Sequence, residues 1–344
     1  MSSSTQWAVF PCGSAALFCV SFLSHSNCAM TLRTSAMATS LSPSRSRRKL
    51  PDVAAAQDFT PESLITVDYI APPAAIAPLV TTLYHFRCDE PVIRDIQPAA
   101  VGNLCLFPHG KGEMHFAEGH RDPNHEVGLL TPLSRATPII VEGPFHAFGA
   151  ALTPFGWAAL TGLHAGDHRD RLLPAGEVLG PEIDTLGQEL LAAYRAGTMS
   201  GPDCALAVGE FIAGAARPVN PRHVALIAAT GRWLGASFNP AVDDLSGVAG
   251  YSARQVQRLV ERYFGLTPRA LARKYRALRA AALLSGPQLS PSDEAEIAEA
   301  FFDQPHMIRE IAHFVGRTPA RLGDQSTPYL AEMIDARNLR ELDV

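Results

Sequence analysis

The stretch GYSARQVQRLVERYFGLTPRAL, from Gly250 to Leu271, has the pattern of a capped amphipathic helix between two glycines. Its S-x-x-Q start is a capping box, in which the Ser252 oxygen accepts an early backbone N–H and the Gln255 side chain reaches back. We therefore predict that a helix begins at Ser252. Its apolar residues recur at helical spacing and fall on one face: Val256, Leu259, Val260, Tyr263 and Phe264.

Glycines and a threonine–proline pair bound this helix. Gly250 is the turn residue after a preceding helix, which we predict over VDDLSGVA (242–249). Gly265 is placed to end the helix, and Thr267 with Pro268 caps the next one. Arginine and glutamine remain on the outer side, and these side chains hydrogen-bond guanine and adenine edges in the major groove. The pattern predicts a helix-turn-helix.

The positive charge of this segment is local, because the whole chain of 344 residues carries a net charge of −5. Between Gly250 and Gly286 there is one acid, Glu261, and the basic residues number eight: Arg254, Arg258, Arg262, Arg269, Arg273, Lys274, Arg276 and Arg279. A solvated helix face normally mixes signs to gain i,i+4 pairs. The excess predicts that the segment binds DNA.

The segment resembles the first half of the AraC/XylS-type DNA-binding domain. FFDQPHMIREIAHFVGRTPARL, from Phe301 to Leu322, resembles the second half, and the resemblance covers roughly Pro221 to Leu322. It implies two helix-turn-helix units joined by a long helix, here about Pro268 to Ser285. It also implies that the two recognition helices enter successive major grooves of an operator in double-stranded DNA.

The resemblance implies which side chains contact DNA. In the first recognition helix the base-facing positions are Arg254, Gln257 and Arg258, and in the second they are Gln304, Pro305 and Arg309. The predicted DNA-binding set also includes Ser252 and Arg262. His306 is expected to pack or to contact the backbone, in preference to binding a metal.

Two departures from the family pattern lie in the second half. Ala300 stands where the family usually has the turn glycine, so we expect a looser second turn. From Ser290 to Asp324 the acids outnumber the arginines and give a local charge of −4: Asp293, Glu294, Glu296, Glu299, Asp303, Glu310 and Asp324 against Arg309, Arg317 and Arg321. Since phosphate contacts dominate affinity, we predict that the first half carries most of the binding and the second half adds register.

The region before the helical part has a β pattern. Short apolar runs broken by Pro and Gly follow one another at about ten-residue spacing from Leu64 to about Thr161, which predicts an antiparallel sandwich or barrel. APPAAIAPLVTTLYHF (71–86) interrupts the pattern as a predicted short helix leading into a strand. Together with VGLLTP and FHAFGAALTPFGW, this stretch resembles the cupin-like domain of some AraC-like regulators. The resemblance implies that the domain binds an effector, dimerises or does both.

A rival hypothesis is a metal-dependent cupin-type enzyme, because histidines cluster near Glu113: His109, His115, His120 and His125. Metal cupins need an H-x-H pair, which this stretch lacks, so we predict no metal, no cofactor and no catalytic residue. A further alternative is a ligand-binding protein with a weak DNA-binding domain. The aromatic residues Phe145, Phe148 and Phe155 would line an effector pocket or form core, with His146 and Trp157 as polar anchors.

These patterns predict an α+β chain with five parts. They are a disordered or spuriously extended N-terminus (1–59), in which a secretory signal is the alternative; a β-rich effector or dimerisation domain (60–165); a helical linker (166–220), with helices over Pro181–Gly197 and 203–214; an AraC-type double helix-turn-helix domain (221–325); and a tail (326–344). The six cysteines form no C-x-x-C pair and imply no disulfide framework.

The sequence therefore predicts a cytoplasmic, sequence-specific transcriptional regulator that is not an enzyme. Its partners would be operator DNA, a small-molecule effector, a second copy of the chain and RNA polymerase, with no membrane. The operator, the effector and the choice between activation and repression are left open by the residues.

Overall fold

The computed structural model describes residues 64–245, 250–286 and 289–322. These residues belong to one compact unit. The predictions for the N-terminus (1–59) and the tail (326–344) lie outside the described residues. Within the described residues, the three cysteines are free and buried: Cys88, Cys105 and Cys204.

The first part of the chain forms an antiparallel sheet, followed by a helical region, which confirms the predicted fold class. The eight strands in the described residues pair in the order β1-β2-β7-β4-β6-β8, with β3 also on β7 and β5 also on β4. They are β1 Ile65–Ile70, β2 Val80–Cys88, β3 Val92–Gln97, β4 Asn103–His115, β5 Arg121–Pro123, β6 Val127–Leu130, β7 Thr137–Leu152 and β8 Leu172–Pro174.

Two strands are longer than the sequence pattern predicts. The runs NLCLFPHG and GEMHFAEG are separate in the prediction, but their strand residues lie on the single strand β4; the two runs from Ala136 to Pro154 likewise share β7. The register between β4 and β7 shifts between Leu106 and Lys111, around Pro108 and Gly110. Bulges of this kind accommodate Pro and Gly without ending a strand, so the predicted breaks were wrong.

The predicted short helix within 71–86 is also wrong. Residues 74–79 form hydrogen-bonded turns, and the Pro73 carbonyl accepts from the N–H groups of Ile76 and Ala77. Strand β2 then begins at Val80. Three prolines in 72–78 remove backbone donors, so a continuous helical ladder cannot form there.

Ten α-helices lie in the described residues: α1 Pro154–Thr161, α2 Ala165–His168, α3 Ala175–Leu179, α4 Pro181–Arg195, α5 Gly201–Ala215, α6 Pro221–Ala236, α7 Ala253–Phe264, α8 Pro268–Ser285, α9 Pro291–Ala300 and α10 Gln304–Val315. The predicted linker helices correspond to α4 and α5. The linker region (166–220) also contributes a strand, since β8 pairs with β6.

Alternate residues of the central strands face opposite sides of the sheet, as the period of two requires. Leu83, Leu104 and Phe148 pack in one core cluster with residues of α4 and α5. Their neighbours Tyr84, Cys105 and Ala147 face an internal cavity. The sheet therefore has a helix-covered face and a cavity face.

The capping prediction for the helical region is confirmed. The Ser252 side chain accepts from the Gln255 backbone N–H, and both halves of the capping box are present at the start of α7. Gly265 ends α7 with a φ of 79°, which is the left-handed conformation that glycine adopts at low cost. Thr267 caps α8, whose bounds match the predicted long helix.

The helix predicted before Gly250 is only partly described. Val242–Leu245 form a 3₁₀ helix, and the rest of VDDLSGVA (246–249) lies outside the described residues. Gly250 itself has a φ of 72°, as expected for the turn position.

A buried carboxylate joins the long helix α8 to α10. Glu310 is 2% exposed and accepts hydrogen bonds from Arg273 and Arg276, and the Arg276 Nε lies 3.0 Å from Glu310 Oε2. Arg276 also donates to Asn239 Oδ1 and to the Ala300 carbonyl. Burial raises the pKa of Glu310, but the hydrogen bonds from the two arginines outweigh it and hold the pKa below its usual value.

We expect Glu310→Gln to lower the free energy of unfolding by about 3 kcal/mol at neutral pH, because it leaves buried guanidinium charge unbalanced. The stabilisation is present above the ordinary glutamate pKa and is lost as the pH falls through the lowered folded-state pKa. The difference between wild type and variant should therefore shrink in acid. Urea titrations at several pH values would measure it.

The matched control for this experiment is Glu299→Gln, which changes an exposed acid on α9. This substitution should shift the free energy of unfolding by less than about 0.5 kcal/mol. Equal effects of the two substitutions would show that the Glu310 contact contributes nothing specific.

Candidate nucleic-acid interface

The first half of α7 presents an exposed polar face. Arg254, Gln257 and Arg258 are exposed, while the opposite face of the helix is buried in the helical core. In the part of the chain that the structure describes, no hydrogen bond or ion pair engages these three side chains. They project from a helix whose start is fixed by its capping box. A ligand that approaches the N-terminal half of α7 can therefore contact them.

The other two predicted contacts of the first unit are placed differently. Ser252 is exposed, but its hydroxyl accepts from the Gln255 N–H and donates to the Gln255 Oε1 at 3.0 Å, so it serves as a helix cap. Arg262 is half-buried, with its guanidinium 3.5 Å from the Gly162 carbonyl at the end of α1. The structure therefore separates Arg262 from the exposed face of α7.

Half of the basic residues counted between Gly250 and Gly286 are engaged inside the protein. Lys274 is buried and donates to the Ala100 carbonyl at 2.9 Å. Arg273 and Arg276 bind Glu310, and Arg279 donates to the Leu234 and Ser237 carbonyls. The local positive charge is therefore only partly available to a ligand: the exposed basic side chains are Arg254, Arg258 and Arg269, with Arg273 partly exposed beside Glu310.

The second unit consists of α9 and α10. Ser290 and Asp293 form a capping box at the start of α9. The Asp303 side chain accepts from the His306 backbone N–H and starts α10. Gln304, Pro305 and Arg309 are exposed, as expected for side chains that face a partner.

The turn between α9 and α10 is built without a left-handed residue. Phe301, which follows Ala300, has φ −117° and ψ 139°, an extended conformation that any residue adopts. Its ring is buried, with the Arg276 guanidinium 4.9 Å from the ring centroid. The turn therefore tolerates Ala300 because the chain leaves the helix in an extended conformation.

Phe302, in the same turn, is missed by the sequence pattern. It is 94% exposed, immediately before the exposed start of α10. The ring is therefore accessible to a partner that binds the start of α10. The two consecutive phenylalanines, Phe301 and Phe302, were the available signal in the sequence. In an extended segment, adjacent side chains point in opposite directions, so only one of the two rings can be buried.

The imidazole of His306 packs inside the second unit. It lies edge-on to the Phe301 ring, with centroids 5.9 Å apart, and its Nε2 is 3.2 Å from Glu310 Oε1. These contacts are those of a packing residue.

Residues 245–325 match the family model described as a helix-turn-helix domain. The C-terminal region is an AraC-type helix-turn-helix domain. The match covers about a quarter of the chain and includes both exposed helix starts. A domain of this type supports DNA-binding transcription regulation as the function class, and the regulators of the family are generally not enzymes. No curated protein matches the chain.

Three solved structures are similar to the chain at low identity. ToxT from Vibrio cholerae O395 is 9% identical with a TM-score of 0.40, covering 77% of this chain and 99% of that one. A variant of apo ToxT from Vibrio cholerae strain SCE256 is 10% identical with a TM-score of 0.39, covering 70% and 99%. The AraC-like transcriptional activator CuxR is 12% identical with a TM-score of 0.29, covering 63% and 86%.

The AraC-type domain is attached to the sheet through α10. The Ala99 N–H donates to the Phe314 carbonyl at 2.7 Å, and the Ala136 N–H donates to the His313 carbonyl at 3.0 Å. Gly316, which ends α10 with a φ of 86°, lies against Ile96, where a Cβ atom would approach Cγ2 of Ile96 to 2.3 Å. The end of α10 is therefore closely fitted to the sheet.

A buried ion pair reinforces this attachment. Arg317 follows α10 and places its Nη2 2.6 Å from Oδ1 of Asp95 on β3, and both side chains are buried. Burial raises the pKa of Asp95, and the charge of Arg317 opposes that rise. The same oxygen accepts from the Ile96 N–H at 2.7 Å, so the carboxylate is fixed in place.

A cavity of about 200 Å³ lies on the cavity face of the sheet, and residues 97–101 close one side of it. Leu278 of α8 reaches this cavity from the AraC-type domain. Segment 95–101 therefore contacts the cavity with some atoms and the AraC-type domain with others. We call this segment the shared wall.

Neither predicted effector anchor lies at this cavity. His146 is on the helix-covered face, where Nδ1 is 2.8 Å from the Tyr194 hydroxyl and Nε2 is 2.9 Å from Asp89. Trp157 is 1% exposed in the core and donates to the Leu163 carbonyl. Of the predicted aromatic set, Phe145 lines the cavity, because side chains alternate along β7 and its neighbour His146 points to the other face.

Two of the four clustered histidines pair with neighbouring acids. His115 Nε2 is 2.6 Å from Glu113, and His120 Nε2 is 2.9 Å from Asp122. Among the described residues, no group of three or more His, Cys, Asp or Glu side chains is placed to hold a metal ion. Nor is any helix of the described chain long and apolar enough to cross a membrane.

We expect Arg317→Met to loosen α10 from the sheet, because it leaves the Asp95 carboxylate buried without its cation. Hydrogen exchange of the Ala99 and Ala136 amides, which donate to α10, should become about 100-fold faster. NMR or mass-spectrometric exchange on the full chain would measure this. Arg309→Met, an exposed change on the same helix, is the control, and unchanged protection in Arg317→Met would contradict the role of the pair.

Proposed function

We propose that the protein is a sequence-specific transcriptional regulator of AraC/XylS type that reads two successive major grooves and is controlled by a small effector. The observation that carries the proposal is the exposed set Arg254, Gln257 and Arg258 on a capped helix inside an AraC-type domain. Arginine and glutamine fork onto guanine and adenine edges. Gln304, Pro305 and Arg309 at the start of α10 supply the second set.

The charge distribution supports unequal contributions from the two units. The exposed face of α7 is basic, whereas α9 exposes Glu294, Glu296 and Glu299. Neutralisation of phosphates supplies much of the affinity for DNA. The first unit therefore supplies most of the affinity, and the second fixes the register on the operator.

The shared wall supports effector control. Ala99 and Ala100 both line the cavity. Their backbones also contact the AraC-type domain: the Ala99 N–H donates to the Phe314 carbonyl, and the Ala100 carbonyl accepts from Lys274. A ligand that displaces this wall alters contacts on which the position of α10 depends. Homodimerisation and contact with RNA polymerase stay predictions.

The first test is a titration of the full chain with its own upstream DNA and with a scrambled duplex, at two salt concentrations. We expect preference for the native duplex and weakening with salt. Arg258→Ala should weaken native binding by about 1–3 kcal/mol, and Arg309→Ala should weaken it less. An equal or larger loss from Arg309→Ala would contradict the asymmetry, and equal affinity for both duplexes would contradict specific recognition.

Phe302 adds an apolar contact to the proposed interface. Its ring stands beside Gln304 at the start of the second recognition helix, and phenylalanine contacts the thymine methyl group in the major groove. Such a contact needs no positive charge, which fits the acidic second unit.

Replacing operator thymines with deoxyuridine tests this contact, because only the methyl group is removed. We expect the critical replacement to weaken wild-type binding about three- to fivefold, the value of one buried methyl group. Phe302→Ser should show the same loss on the thymine duplex and no further loss on deoxyuridine. Met199→Ser, at another exposed apolar residue, should leave both affinities unchanged. Additive losses in Phe302→Ser would rule out the methyl contact.

A further inference from the structure

The cavity beside the shared wall has the size of a small ring compound. Its volume is about 200 Å³, and its lining comes from every strand of the sheet except β5, from the shared wall and from Leu278 of α8. An engineered protein cavity of about 150 Å³ binds benzene. This cavity therefore takes one six-membered ring with a short substituent.

The walls favour an aromatic guest. Five aromatic rings line the space: Tyr69, Tyr84, Phe86, Phe107 and Phe145. Phe145 meets Phe86 edge-on at 5.8 Å between centroids and Phe107 in a tilted arrangement at 5.5 Å. Aromatic rings gain from such edge-to-face geometry beyond the area they bury. A bound aromatic ring therefore adds a further contact of the kind that the lining rings already make with one another.

The charge distribution of the cavity walls disfavours the binding of a charged ligand. No Lys, Arg or His is among the described residues that line the cavity, and its two acids already have cationic partners. Asp95 pairs with Arg317 at 2.6 Å, and Glu113 lies 2.6 Å from His115 and 3.0 Å from Arg121. Burial raises the pKa of the lining thiol Cys105 to about 12, so it stays neutral.

An anion entering this cavity loses its hydration and meets no lining cation, which makes its transfer unfavourable. A cation meets carboxylates whose charge is already balanced. A neutral polar group meets hydrogen-bonding side chains on the wall, among them Thr82, Asn103 and Asn124. Asn103 is held by donation to the Val101 carbonyl at 3.1 Å.

We propose that this cavity binds an uncharged monocyclic molecule, with an aromatic ring and one short hydrogen-bonding substituent such as a hydroxyl group. Only the role of the bound molecule as the effector rests on the proposed function. Binding itself depends only on the cavity. The ring lies among the five aromatic side chains, and the substituent reaches the polar wall.

Three ring compounds of equal size and different charge test the proposal: benzyl alcohol, benzoate and benzylammonium. Thermal unfolding and calorimetry of the full chain would be measured with each at neutral pH and constant ionic strength. Ligand that binds only the native state raises Tm with concentration. We expect benzyl alcohol to raise Tm and the two ions to bind at least about tenfold more weakly. Equal or tighter binding of either ion, or no binding of benzyl alcohol at millimolar concentration, would overturn the proposal.

Two variants locate the binding. Ala147→Leu places extra carbon atoms at the cavity face and should abolish the Tm shift, while Ala192→Leu, on the exposed side of α4, should preserve it. Should Ala147→Leu not fold, Asn103→Leu serves in its place, and it should weaken benzyl alcohol more than toluene. Shifts that survive both cavity variants would place the ligand elsewhere and overturn the site.

DNA titration with and without benzyl alcohol separates this proposal from the proposed function. A Tm shift together with a changed affinity for the native duplex supports both. A Tm shift with unchanged DNA affinity supports the ligand class and overturns effector control through this cavity. Specific DNA binding without any Tm shift overturns the ligand class and leaves the DNA-binding proposal intact.

Discussion

The buried carboxylate of Glu310 fixes the relative geometry of α7 and α10, the two helices that we propose as recognition helices. It holds α10 against α8 through Arg273 and Arg276, and α8 begins where α7 ends. Sliding α10 along α8 would leave charges unpaired in a buried place, which costs several kcal/mol. The spacing between the exposed starts of α7 and α10 is therefore tied to one acid–base contact. The same contact engages two arginines inside the protein.

The helix boundaries of the AraC-type domain were predictable because capping chemistry is local. Ser252 and Gln255 are three residues apart, and Gly265 and Thr267 act on the adjacent turn. The sheet was less predictable. Pro108 and Gly110 ended a predicted strand, but a bulge carries β4 past them, and a bulge depends on the partner strand. Likewise, the spacing of apolar residues near Ile76 predicted a helix, but the neighbouring prolines lack backbone donors and the segment forms turns.

The exposed face of α7 was also predictable, since helical period assigns Arg254, Gln257 and Arg258 to the side opposite the apolar stripe. The role of each later basic residue was not. Lys274 bonds to a carbonyl 174 residues away, and Arg276 pairs with an acid 34 residues away. A charge count over a short window includes the arginines and omits Glu310. His146 and Phe145 show the same limit, because adjacent strand residues face opposite sides of the sheet.

Coupling between a cavity ligand and DNA requires that the ligand interact differently with two arrangements of the protein. The shared wall touches both the cavity and the AraC-type domain, the latter through short hydrogen bonds of its backbone. Ala99 lines the cavity and donates to Phe314 at 2.7 Å, and Ala100 lines it and accepts from Lys274 at 2.9 Å. A displacement of roughly half an ångström lengthens the first bond to the upper limit of good hydrogen-bond geometry and the second beyond it. Because Asp95 and Ile96 of the same segment contact Arg317 and Gly316, the wall is packed against the end of α10, the helix that also carries Gln304 and Arg309.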